Sequence, residues 1–138
     1  MWNAVNITTI GSNAFVDNNT LETIDAAFIT EIQSNAFEFC TELNIDLSNV
    51  EVIGSSAFVG CSFTSVDLSS ATSIGANAFA YSNVAEITLP IDGLTLGGNV
   101  FRNCEITTIH YAGTQQQFED LVNGTGNANL IWDLVTNS

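Results

Sequence analysis

The sequence predicts a solenoid, a stack of coils of about 21 residues held together by short parallel strands. Three observations carry this expectation. A hexapeptide recurs in phase: IGSNAF at 10–15, IQSNAF at 32–37, IGSSAF at 53–58, IGANAF at 74–79 and a weaker LGGNVF at 96–101. The phenylalanines that end it lie 22, 21, 21 and 22 residues apart. Eight or nine residues after each comes a strand-like triplet: IDA at 24–26, IDL at 45–47, VDL at 66–68, ITL at 87–89 and IHY at 109–111. Alternating inward and outward side chains mark a half-buried strand.

Each column of the repeat has a physical reason. A unit this short cannot bury its own apolar face, whereas stacked units bury like residues as continuous internal ladders. Ile10, Ile32, Ile53, Ile74 and Leu96, five residues before each Phe, form one such ladder, and the Ala-Phe pair forms another. The small Ala lets the coil turn while the ring fills the interior. Gly after Ile10, Ile53 and Ile74 is expected to supply backbone freedom at a corner. The Ser-Asn pair is expected to bond the local backbone of a turn. Asn18, Cys40, Cys61, Ser82 and Cys104 form a small-residue column three after the Phe, followed by apolar Leu21, Leu43, Phe63, Val84 and Ile106.

The pattern I-G-x-x-A-F-x-x-C-x-x-L-x-x-I-x-L, carried by Ile53, Gly54, Ala57, Phe58, Cys61, Phe63, Val66 and Leu68, resembles the BspA-like leucine-rich repeats, over roughly residues 2–113. Most units here are one residue shorter between the Cys column and the strand, and a single Pro, Pro90, follows a strand triplet. The resemblance implies a right-handed coil with short parallel strands and few helices. It also implies surface recognition and adhesion without catalysis.

The ends differ. Residues 1–113 read as five repeats with a partial N-terminal coil, and 114–138 as a C-terminal cap. Trp2-Asn3-Ala4 aligns with the strand triplets, and no capping segment comes before it. An exposed ladder edge invites association, so Trp2, Ala4 and Ile7 are the expected assembly residues. In the cap, Thr114 and Gln117 have the spacing of a capping box. Phe118, Leu121 and Val122 then share a helical face, and LIWDLV at 130–135 reads as a final strand. A YAGT…F helix after the last repeat also resembles the usual ending of BspA-like arrays.

Composition narrows the function. Fifteen acidic residues stand against one Arg and no Lys, a formal net charge of −14. Such a surface repels nucleic acid and anionic lipid, so neither is an expected partner. No apolar run approaches the ~20 residues of a membrane span, and MWNAVNITTI lacks the regions of a secretory signal. Three cysteines in one repeat column read as buried structural thiols rather than as a disulfide framework or a zinc site. The sequons at Asn6, Asn18 and Asn123 are those expected by chance in a chain rich in Asn and Thr.

The candidate site is the outward column of the strand triplets: Asn3, Asp25, Asp46, Asp67, Thr88 and His110, with Glu22, Glu42, Thr64, Glu86 and Thr107 beside it. On adjacent rungs ~4.8 Å apart the three aspartates would form a row of like charges. A flat row of single carboxylates supplies too few oxygens for Ca²⁺, so a solvated acidic face is expected, with no metal or cofactor. Asp46 and Asp67 could also stand at the ~5 Å of a retaining glycosidase pair, but no pocket would desolvate either. The expectation is therefore a non-enzymatic module presenting an acidic face to a protein or glycan partner, outside the cell or on its surface. The alternative is a structural subunit of a virion or extracellular filament, self-associating through the N-terminal edge.

Overall fold

The computed structural model describes residues 2–3 and 7–137, without the side chains of Trp2 and Asn3. In chain order the strands are β1 (Trp2–Asn3), β2 (Thr9–Ile10), β3 (Ile24–Asp25), β4 (Glu31–Ile32), β5 (Val52–Ile53), β6 (Ser65–Asp67), β7 (Ser73–Ile74), β8 (Glu86–Thr88), β9 (Thr95–Leu96) and β10 (Thr108–His110). Helix α1 (Gln115–Val122), a 3₁₀ turn at Trp132–Leu134 and β11 (Val135–Thr136) complete the chain. All pairings are parallel, and each runs between successive coils. The fold is the expected solenoid, closed by a helix and a strand.

Two strand faces flank the core. The aliphatic column lies in a five-stranded sheet, β2-β4-β5-β7-β9, with Ile10, Ile32, Ile53, Ile74 and Leu96 in register and buried. Sequence reading finds that column but not the sheet, because strands of two residues are too short to show alternation. The expected strand triplets form the other face, as β1-β3 and as β6-β8-β10-β11. The IDL triplet at 45–47 is an exception. It forms no strand, and its coil joins the one before through a bridge between Thr23 and Asn44. Ile45 and Leu47 still point inward and are buried, so side-chain alternation survives where the backbone ladder does not.

The corner between the faces is the densest part. The rings of Phe15, Phe37, Phe58, Phe79 and Phe101 form one internal stack, with centroids 5.2–5.4 Å apart and planes within 12°. Each such contact contributes about 0.5–1.5 kcal/mol beyond burial. The backbone around the stack is two turns in series. In the first, the N–H of Ala14, Ala36, Ala57 and Ala78 returns to the carbonyl three residues back. In the second, the N–H of Asn18, Cys40, Cys61, Ser82 and Cys104 returns to the carbonyl of its own coil's Phe. The third residue of each turn is left-handed: Asn13, Asn35, Ser56, Asn77 and Asn99 in the first, and Asp17, Phe39, Gly60, Tyr81 and Asn103 in the second. Side chains other than Asn, Asp and Gly cost about 1–2 kcal/mol there. This explains the recurrent Asn. The torsion angles are the shared demand, and at Asn35 the side chain also bonds locally, Nδ2 donating to Glu38 Oε2.

The glycine column also has a different cause from the one expected. Gly11, Gly54, Gly75 and Gly97 are not left-handed. A Cβ on Gly54, Gly75 or Gly97 would stand 2.4–2.5 Å from a backbone nitrogen of the preceding coil. Glycine is required there by close approach between coils. Gln33 holds this column in the second coil, and its Oε1 accepts the N–H of Ser12 at 3.2 Å.

The cysteines are free, buried thiols that tie coils together. The thiols of Cys40, Cys61 and Cys104 donate to the Phe15, Phe37 and Phe79 carbonyls at 3.0, 3.1 and 3.3 Å. Burial pushes the Cys61 thiol up to about 12 and raises that of Cys40.

At the C-terminus the capping box forms between Thr114 and Gln117, and α1 turns Phe118 and Val122 inward. The expected strand at 130–135 is shorter than read. Trp132–Leu134 is a 3₁₀ turn, and only β11 pairs with β10. The preceding loop continues the ladder with side chains. Asn127 Oδ1 accepts the Val100 N–H at 2.8 Å, while its Nδ2 donates to the Gly97 carbonyl at 2.9 Å. Asn129 Nδ2 donates to the carbonyls of Phe101 and Cys104. These carboxamides stand in for the backbone of a further coil.

Candidate functional site

The outward column is real, but its members do more than face solvent. Asp67, Thr88, His110 and Thr136 are in register across β6, β8, β10 and β11, and Asn3 is in register with Asp25. Asp25, Asp46 and Asp67 are exposed. Asp46 sits where the ladder is interrupted, so the even row of three carboxylates expected from the sequence is broken at its middle member. A shallow cleft of about 260 Å³, lined by Ile24, Asp25, Ala26, Ala27, Asp46 and Asn49, lies at the break.

Each aspartate is committed to its own chain. Asp25, Asp46 and Asp67 accept the N–H of the residue two positions on, Ala27, Ser48 and Ser69, at 3.1, 2.9 and 3.0 Å. This is the Asx turn, which gives the coil a polar stop after its strand triplet. The bond from Ser48 holds the Asp46 carboxyl below its ordinary value. The same geometry explains the column's departure at Thr88. The residue two positions on is Pro90, which has no N–H to donate, so an aspartate would gain nothing. Sequence reading could have found this, because in the triplet-plus-one context Asp recurs only where Ala27, Ser48 or Ser69 follows.

The remaining candidates are dispersed. His110 Nε2 and Glu86 Oε2 are in hydrogen-bonding contact at 2.5 Å on the surface. Thr107 Oγ1 donates to the Ala85 carbonyl at 3.2 Å. Glu22, Glu42 and Thr64 are exposed on the flank. Among the described residues no three His, Cys, Asp or Glu side chains converge on a point where a metal could sit. Asp46 and Asp67 offer little that a buried acid–base pair would need. Both are exposed, and the shift at Asp46 is opposite to the upward one a general acid needs. Of the assembly residues, Ile7 is half-buried against the core and Trp2 pairs in β1 with Ile24, while Ala4 lies outside the described residues. No described helix is long and apolar enough to cross a membrane.

What sequence reading missed is the other edge of the coil, where Phe39 and Tyr81 are 45% and 52% exposed. The repeat alignment shows aromatic residues two places after the Phe, but not that the position points outward.

A stacked, parallel-stranded coil with a packed interior and chemistry confined to shallow outer faces is a binding scaffold. Residues 8–123 match the family described as BspA type leucine rich repeat region, in six copies. The chain belongs to that family, whose repeats are generally non-enzymatic interaction and adhesion modules. No curated protein matches the chain.

Proposed function

We propose that this protein is an adhesion or recognition module that presents the outward column of its second strand face to a protein or glycan partner. The observation that carries the reading is the in-register row Asp67, Thr88, His110 and Thr136, flanked by Glu86 and Thr107. It is a polar face on a parallel ladder, bordered by open clefts of about 410 Å³ at Thr136 and about 430 Å³ at Thr107. Surface or extracellular display fits the family and the net charge of −14, which discourages self-aggregation of a strand-rich chain. The test uses the triple variant Asp25→Asn, Asp46→Asn, Asp67→Asn. Asparagine keeps the Asx-turn acceptor while removing the charge. Binding to an array of immobilised proteins and glycans should be salt-sensitive and weakened in the variant. Equal binding by both chains would move the contact elsewhere.

A second reading, a structural subunit of a virion or filament joined through the N-terminal edge, draws on one observation. Ala14 is exposed and Phe15 half-buried, whereas Ala36, Phe37, Ala57 and Phe58 are fully buried. Head-to-tail stacking would first have to displace Asn127 and Asn129 from the last corner. Light scattering separates the readings: a concentration-dependent oligomer lost in Ile7→Asp supports assembly, and a monomer removes it.

A further inference from the structure

The corner edge carries a feature that the core does not absorb and the outward column does not include. The third position of the second turn is left-handed in every coil, at φ 62 for Asp17, 60 for Phe39, 74 for Gly60, 59 for Tyr81 and 60 for Asn103. Asp, Gly and Asn suit that conformation, and aromatic residues do not. Phe39 and Tyr81 are also 45% and 52% exposed, so burial offsets only part of the strain. Exposed rings kept on strained backbone point to a role outside the fold.

The rings form one strip. They sit two coils apart, at roughly 10 Å, with Gly60 on the coil between. A Cβ on Gly60 would meet the Phe39 ring at 2.5 Å, so the glycine gives that ring its resting place. Tyr81 already attracts one cation, the Arg102 guanidinium at 6.0 Å from its centroid, and still leaves 52% of its surface open. Arg102 is the chain's single Arg or Lys, against fifteen acidic residues. A ring that holds a guanidinium, within a strongly negative field, is complementary to more of the same.

We propose that the strip formed by Phe39, Gly60 and Tyr81 is a docking edge for an arginine- or lysine-rich segment of a protein partner. The cationic side chains stack on the two rings, and the net negative charge draws the segment in. Aromatic anchors with a cationic counterpart are also what protein interfaces enrich. The inference rests on the reading of this chain as a binding module, but it puts the contact on a different edge and names the partner's chemistry.

The test uses a fluorescein-labelled deca-arginine peptide, with anisotropy read at physiological salt. The double variant Phe39→Asn, Tyr81→Asn leaves the charge at −14 and installs the residue that the fifth coil has in this column, Asn103. The expected result is peptide affinity about tenfold weaker with a urea midpoint equal to or above that of the parent. Affinity within twofold of the parent overturns the proposal, as does failure of the parent to bind the peptide. Ring-dependent binding of a neutral glycan in place of the peptide also overturns it. The Asp25, Asp46, Asp67→Asn chain separates the two readings. Peptide binding weakened there, but unchanged in the ring variant, sinks the strip and leaves the outward column standing.

Discussion

Replacing Gly75 by alanine is the sharpest check on how the coils stack. The new Cβ would lie 2.4 Å from Ser55 N and 2.8 Å from both Gly54 C and Ser55 Cα, about 1 Å short of ordinary contact at the nearest atom. All three atoms are backbone, and the site is tied on both sides. Gly75 N–H donates to the Ile53 carbonyl at 2.8 Å, and Asn77 N–H donates to the Gly98 carbonyl at 3.0 Å. Side-chain rotation cannot relieve the clash, so the coils must part. Overpacking costs typically about 1–3 kcal/mol, and a backbone obstacle puts this case near the top of that range. Gly11 is the internal control. It occupies the same repeat column, yet its Cβ would meet nothing within 4 Å. There alanine only restricts the unfolded chain, a gain of about 0.4–1 kcal/mol. In thermal unfolding followed by circular dichroism, Gly75→Ala should lower Tm by roughly 10 °C and Gly11→Ala should raise it by about 1–3 °C. Shifts of the same sign and size in the two variants would refute close approach as the reason for the column.

Three further outcomes follow from the geometry. Asp46 is held below its ordinary value of 3.8 by the Ser48 N–H, so the folded chain binds fewer protons there than the unfolded one. Its contribution is complete above about pH 5 and is lost as pH falls through the depressed value. Urea titrations from about pH 5 to 3 should therefore show a steeper loss for the parent than for Asp46→Asn. Equal slopes would remove the carboxylate from the turn. Cys61, buried and pushed up to about 12, should resist a thiol reagent at about pH 8 in the native state. It should react once urea unfolds the chain, and rapid native labelling would contradict the buried bond to Phe37. Asn127→Ala should cost about 1–3 kcal/mol, because it strands the buried Val100 N–H. Hydrogen exchange at Val100 should accelerate more than exchange at Phe58, and uniform acceleration would argue against a cap that acts locally.

The residue columns themselves are legible in one dimension. A stack of like coils sets the same demand at each level, so the Ile, Ala-Phe and Cys columns repeat because their side chains meet their own copies. The capping box at Thr114 and Gln117 is legible for a related reason, since both partners lie within four residues. Reading fails where the cause lies between coils. Gly54 and Gly75 look like flexible corners until the 2.4–2.5 Å approach to the neighbouring backbone is known. Asn13 and Asn77 look like turn-bonding side chains until their positive φ is seen. The aspartates look like a row offered to a partner, although each is also a brace for its own turn.

By itself, then, the sequence determined the architecture, the identity of the core ladders, the capped C-terminus and the acidic surface. These follow from side-chain volume, polarity and charge repeated at a constant interval. Only the tertiary structure decided how far apart the coils stand, which torsions the corner adopts and where the strand ladder breaks at 45–47. It also decided that Phe39 and Tyr81 line the outer edge beside Arg102. Those features depend on backbone positions in adjacent coils some 21 residues apart, and no local pattern of side chains encodes that separation.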